Sequence, residues 1–93
     1  MTSATIDRMT FEAELKRDGY EPLVSTTPGA KVNPPHSHPF DVRALVLKGA
    51  VTLTVDGASR TYEAGDVFTM ERGCQHFESY DARGAEVLLG RRM

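Results

Sequence analysis

Three observations predict an all-β domain, a sandwich or small barrel of short antiparallel strands preceded by one short helix. Gly49, Gly57, Gly65 and Gly73 recur every eight residues. The segments they separate, Val42–Lys48, Val51–Val55, Arg60–Glu63 and Val67–Met70, are rich in β-branched and aliphatic residues, as strands between tight turns are. After Gly19 no helical periodicity returns.

The helix is predicted over about 10–18. Phe11 and Leu15 stand on one face four residues apart, acids precede bases from Glu12 to Arg17, and Gly19 supplies a left-handed stop. Two large apolar anchors suit a helix packed on the edge of a domain. Residues 1–9 are small and polar and are expected to form a flexible N-terminus, leaving 10–93 as a single domain with its barrel over about 20–90.

Asp56-Gly57 between Val51–Val55 and Arg60–Glu63 predicts a hairpin, because both central positions of a type I′ turn need positive φ. Further strands are expected at 20–26, 76–81 and 85–90, for about seven or eight in all. Val51, Leu53 and Val55 alternate with Thr52 and Thr54, which gives one buried and one polar face. Val42–Leu47 is apolar on both faces, so Leu45 and Leu47 need a cover of their own. The helix or a second copy of the chain can supply it, and a homodimer is the expectation drawn here.

Composition narrows the function. A chain of 93 residues makes one core. Eleven basic and thirteen acidic residues give a net charge of −2, and no basic run exceeds Arg91-Arg92, which is read as a solvated tail. No nucleic-acid or membrane partner is therefore expected. The single Cys74 cannot form an internal disulfide. Met1–Arg8 lacks the apolar stretch of a secretory leader, and Ala44–Leu47 is too short to span a bilayer, so the expected location is cytoplasmic.

The three histidines carry the functional signal. His36 and His38, at i and i+2 on an extended segment, point to one face about 6.6 Å apart along the strand. His76 closes that face from a distant strand. Three imidazoles that leave coordination positions open describe a reactive or exchangeable metal centre better than a sealed structural one.

At this point a resemblance enters. Gly29–His38, continuing through Val42–Gly49, resembles the first motif of the cupins, and Gly65–His76 resembles the second. The two motifs and the segment between them cover residues 29–76. The resemblance implies a cupin-type jelly-roll β-barrel holding a divalent transition metal inside it, with His36, His38 and His76 as ligands; Fe, Mn, Zn, Ni and Cu all suit such a site. It also implies turns at Gly49, Gly65 and Gly73. The chain departs from the family where a glutamate usually follows the second histidine, since Val42 and Arg43 occupy those positions. Asp41 stands one residue early, and Pro39 can bend the segment enough to turn it inward as a fourth ligand. Glu71 stands in place of the family's usual proline, in what is read as an exposed turn.

Other residues carry two readings each. Glu78 and Tyr80 share the parity of His76 and line the same cavity if that strand is regular; Glu78 is then a fourth ligand or a general base, and otherwise a solvent-facing carboxylate. Phe40, Tyr62, Phe68 and Phe77 are a pocket wall or simply core. Cys74 is a soft ligand or, more commonly, a buried small residue, and Arg43 a partner for Asp41, a contact for an anionic ligand or a surface cation. The function these readings imply is a stand-alone cupin with a metal-dependent activity of the dioxygenase or isomerase kind on a small oxygen-rich molecule. The alternative is a non-catalytic small-molecule-binding or sensory module, with or without metal.

Overall fold

The computed structural model describes residues 6–93. Helix α1 (Arg8–Arg17) is followed by β1 (Glu21–Thr27), β2 (Lys31–His36), β3 (Asp41–Val55), β4 (Ala58–Glu63), β5 (Val67–Met70), β6 (His76–Tyr80) and β7 (Ala85–Arg92). Every pairing is antiparallel. The fold is an all-β barrel of antiparallel strands with a short N-terminal helix.

β3 organises it. The first half of β3 pairs with β5 and β7, and β7 continues to β1. Its second half pairs with β4 and β6, and β6 continues to β2. Two sheets thus share one strand of 15 residues. Val42, Ala44 and Val46 face the inner core from the first half, and Val51 and Leu53 from the second. The inward parity therefore changes from even to odd, which a regular strand cannot do. A register shift between Val46 and Lys48 makes the change, beside Gly49 at φ +73°. Gly49 is consequently not the turn expected of it. It is a bulge within a continuous strand, where a Cβ would overlap the carbonyl oxygen of Gly84.

The hairpin at Asp56-Gly57 has the expected signs, φ 51° and 79°. β2 was not foreseen as a strand, because Asn33-Pro34-Pro35 lacks both donors and alternation. α1 begins two residues earlier than expected: Asp7 caps it by accepting from the Thr10 backbone N–H at 2.8 Å and the Thr10 hydroxyl at 2.9 Å. The N-terminal expectation for residues 1–5 lies outside the described residues.

α1 is the cover that the two-faced strand needs. Phe11 and Leu15 pack with Tyr20, Leu45 and Leu88, with Leu47 at the margin. Of Leu45 and Leu47, on which the expectation of a homodimer rests, Leu45 is 2% exposed beneath this helix and Leu47 is partly buried at its margin, so the helix supplies most of the cover that a second copy was expected to give. The C-terminal arginines are not a tail. Arg92 donates to the Asp18 carbonyl at 3.1 Å and to Asp41 Oδ2 at 3.2 Å. Arg43, paired with Asp18 at 2.7 Å and not with Asp41, lies over the Tyr20 ring, as Arg92 does, with 4.6 and 4.5 Å to its centroid.

Two stability predictions follow from this packing. Gly57→Ala should cost about 1–2 kcal/mol, since its site has positive φ but open space around it. Gly49→Ala should cost at least about 1 kcal/mol more, because two backbones must also separate. Equal urea midpoints for the two variants would refute the bulge account. Leu15→Ala should cost about 2–5 kcal/mol and, by loosening the cover over Leu45 and Leu88, promote self-association in sedimentation.

Candidate metal centre and cavity

The histidines converge because the two prolines and the bulge they cause reset the register of β2. Between Asn33 and His36 the pairing with β6 shifts, and His36 then falls directly opposite His76. His38 lies just beyond the strand. Its carbonyl accepts from the Gly73 N–H at 2.8 Å, and Pro39 after it favours an extended backbone. The ring centroids lie 4.3 Å apart for His36 and His76, 4.8 Å for His36 and His38, and 5.2 Å for His38 and His76.

The hydrogen bonds fix two of the tautomers. His36 Nδ1 lies 2.7 Å from the Pro34 carbonyl, and His76 Nδ1 lies 3.0 Å from the Cys74 carbonyl. A carbonyl only accepts, so both Nδ1 atoms donate and each neutral ring keeps its lone pair on Nε2. His76 is 2% exposed and its Nε2 has no hydrogen-bond partner. That lone pair faces Glu78 Oε2 at 3.6 Å. A buried acceptor opposite a carboxylate is unfavourable unless a cation or proton lies between them. His38 is driven toward its neutral form, by burial first and by the neighbouring His36 and His76 next, with Glu78 opposing.

One donor atom from each histidine lies within 4.8 Å of the others. Two metal–nitrogen bonds of about 2.1 Å span at most about 4.2 Å, so small ring rotations bring all three to one ion. The residues fit a divalent metal, and the orphaned Nε2 is what such an ion would satisfy.

Asp41 does not join them, in correction of its reading as a displaced ligand. Its carboxylate accepts from the Arg72 backbone at 2.9 Å and from the Arg72 side chain at 3.3 and 3.2 Å, besides Arg92. The bend at Pro39 turns it to the outer face of the barrel. Glu78 is the carboxylate beside the histidines. It is held by Asn33 Nδ2 at 2.7 Å, from the cross-strand position on β2.

A cavity of about 250 Å³ adjoins the site. His38, Phe40, Phe68, His76, Glu78 and Tyr80 line it, with aliphatic walls from β1, β3 and β7. Tyr80 is half-buried there; desolvation raises its pKa, and the Glu78 charge adds to the rise. Tyr62 is not on this wall, contrary to expectation. It packs behind Phe68, 5.0 Å between centroids, and faces a separate groove with Cys74. Phe77, of opposite parity to His76, also lies outside the cavity. Cys74 contributes its carbonyl rather than its thiol. Arg91 and Asn33 were missed. Arg91 shares the parity of Val87 and Leu89 on β7 and lines the cavity with them, a signal present in the sequence but obscured by reading the terminus as a tail.

Comparison with known proteins agrees with this fold. Residues 22–86 match the family model of the cupin domain, so the chain belongs to the cupin family. No curated protein sequence matches it. Among solved structures it is similar to a cupin-2 domain containing protein from Shewanella frigidimarina, with 16% identity, a TM-score of 0.67, and 82% of this chain and 72% of that one covered. It is also similar to the DMSP lyase DddQ from Ruegeria pomeroyi, with 23% identity, a TM-score of 0.72, and 82% of this chain but only 39% of that one covered. A cupin superfamily protein from Desulfitobacterium hafniense aligns at 14% identity and TM-score 0.68, over 82% of this chain and 70% of that one. Among the described residues no helix is long and apolar enough to cross a membrane.

The Arg72 guanidinium and backbone N–H, then Arg92, hold the Asp41 carboxyl well below the usual carboxylate range. A depressed folded-state pKa contributes stability that is present above the ordinary carboxyl pKa, about 3.9, and lost as pH falls through the folded value. Asp41→Asn should therefore flatten the fall in melting temperature below about pH 4 while leaving bound metal per chain unchanged. A large loss of metal in this variant would return Asp41 to the ligand set.

Proposed function

We propose that the protein holds a divalent transition metal through His36, His38 and His76 and acts with it on a small oxygen-bearing molecule bound in the adjoining cavity. The observation that carries this reading is the buried, unpartnered Nε2 of His76, which shares one small volume with two further imidazole donors and a carboxylate. A structural histidine at 2% exposure would have both nitrogens satisfied.

When bound, the metal would act as a Lewis acid that orients an oxygen ligand, or in a redox form as an oxygen activator. The chain's own residues do the rest. The carbonyls of Pro34 and Cys74 fix the tautomers of His36 and His76, so that each ring offers its Nε2 lone pair to the shared volume with no change of tautomer on binding. Glu78, oriented by Asn33, places a carboxylate oxygen where it can take a proton from a bound ligand or complete the metal's ligand set. The apolar wall of Val42, Val51, Phe68, Val87 and Leu89 excludes water from the far side.

Metal analysis of the purified protein tests the reading. Wild type should carry close to one transition-metal ion per chain, and His36→Ala, His38→Ala and His76→Ala should each lower occupancy by about tenfold or more, since each removes a direct bond from a preorganised face. A chelator should lower the melting temperature of wild type and leave His76→Ala unmoved. Full occupancy after loss of His76 would exclude a shared site. Consumption of a small oxygenated substrate only by the metal-loaded form would identify an enzyme, whereas metal-dependent binding without turnover would make the protein a binding module.

A further inference from the structure

We infer that the cavity takes a small monocarboxylate with an apolar body, its carboxylate on Arg91 and its other end at the histidines. The inference deepens the proposed function and rests on it only for the metal end of the ligand.

Five arginines of the described chain are tied to carboxylates: Arg17, Arg43, Arg72, Arg83 and Arg92. Arg91 is not, although Glu21 stands across from it on β1; Arg60 likewise has no carboxylate partner, and both are exposed, but only Arg91 lines the cavity. It extends the row of Val87 and Leu89 on β7, so its side chain leaves the apolar wall at the cavity's rim. A stack of rings places it. His38 lies against Phe40 at 4.9 Å with planes 13° apart, and the Arg91 guanidinium sits 5.6 Å from the centroid of Phe40.

Charge and shape select the ligand. Arg91 is the one permanent cation lining the cavity and Glu78 the one carboxylate, with Leu23, Val42, Val87 and Leu89 among the apolar residues between. A monoanion balances Arg91, and its carboxylate matches a planar guanidinium through two parallel hydrogen bonds. In the metal-free cavity a dianion would leave one charge uncompensated in a largely apolar space. In the metal-free cavity Glu78 repels an anionic group from its own end, which directs the carboxylate to Arg91 and leaves a hydroxyl or carbonyl oxygen to face the histidines. The cavity's 250 Å³ lies below the range for drug-sized ligands, which fixes the scale as a few carbons.

Calorimetric titration with hexanoate, 6-hydroxyhexanoate and their primary amides tests this, on metal-loaded and metal-stripped protein. The acids should bind wild type about tenfold or more tightly than the amides. Arg91→Gln should abolish that preference with metal content and melting temperature unchanged, and Arg91→Lys should restore part of it. The acid-over-amide preference for hexanoate should survive removal of metal, whereas the advantage of the terminal hydroxyl should not. If no metal binds but the Arg91-dependent preference persists, the metal reading fails and this one stands. Equal affinity for acid and amide, an unchanged preference in Arg91→Gln, or no binding of either acid at millimolar concentration would overturn it.

Discussion

Everything in this barrel depends on one change of parity in β3. A strand with its apolar residues at even positions before Val46 and at odd positions after Val51 can keep both sets inside only if one residue is left out of the ladder. The bulge beside Gly49 does this, and it also bends the strand so that one half serves each sheet. The partners of each half then follow. β7 and β5 line up on the first, β6 and β4 on the second, and the cavity forms where the two sheets separate. The side chains at its mouth come from both.

Much of this was legible in the sequence, and what was not shares a physical cause. The hairpin at Asp56-Gly57, the helix at Phe11 and Leu15 and the His36-His38 pair are local patterns with local mechanisms, whereas His76 reaches that pair through the pairing of β2 with β6. The fusion of Val42–Lys48 with Val51–Val55 into one strand was not legible, because a glycine at positive φ fits a bulge as well as a turn and only the partner strand distinguishes them. Asp41 was misplaced for a related reason: parity does not survive a proline and a bend, whereas two arginines from distant elements determine where the carboxylate points. Arg92 and Arg91 show the converse. Near the end of the chain they look like a tail, yet one fastens the C-terminal end of α1 to the barrel and the other lines the cavity.

The site sets local cost against function. A fully satisfied interior would give His76 Nε2 a donor, but here it faces a carboxylate held in place by Asn33. The two carbonyl acceptors that fix the tautomers make the arrangement worse for an empty site and better for a filled one, because they commit both lone pairs to the same volume. Structural pressure alone would remove such a conflict by one substitution, at Glu78 or His76. Its presence beside two further imidazoles is the reason the geometry reads as a ligand set rather than as ordinary core.

The cavity also has a direction. Its lining holds imidazole nitrogens and Glu78 together and, at the rim, an arginine with no carboxylate partner; the remaining lining is mostly apolar, with Ser25, Thr27 and Tyr80 the other polar side chains. Such walls lower the local dielectric, so each polar end acts more strongly on a bound molecule than it would at an open surface. A symmetric or uniformly apolar ligand would leave Arg91 uncompensated and gain nothing from the histidines. A molecule with unlike ends can satisfy both at once, and only in one orientation. Orientation is what a centre with open coordination positions most needs from its protein, since the ion attracts any oxygen ligand and the barrel decides which atom of the ligand arrives there.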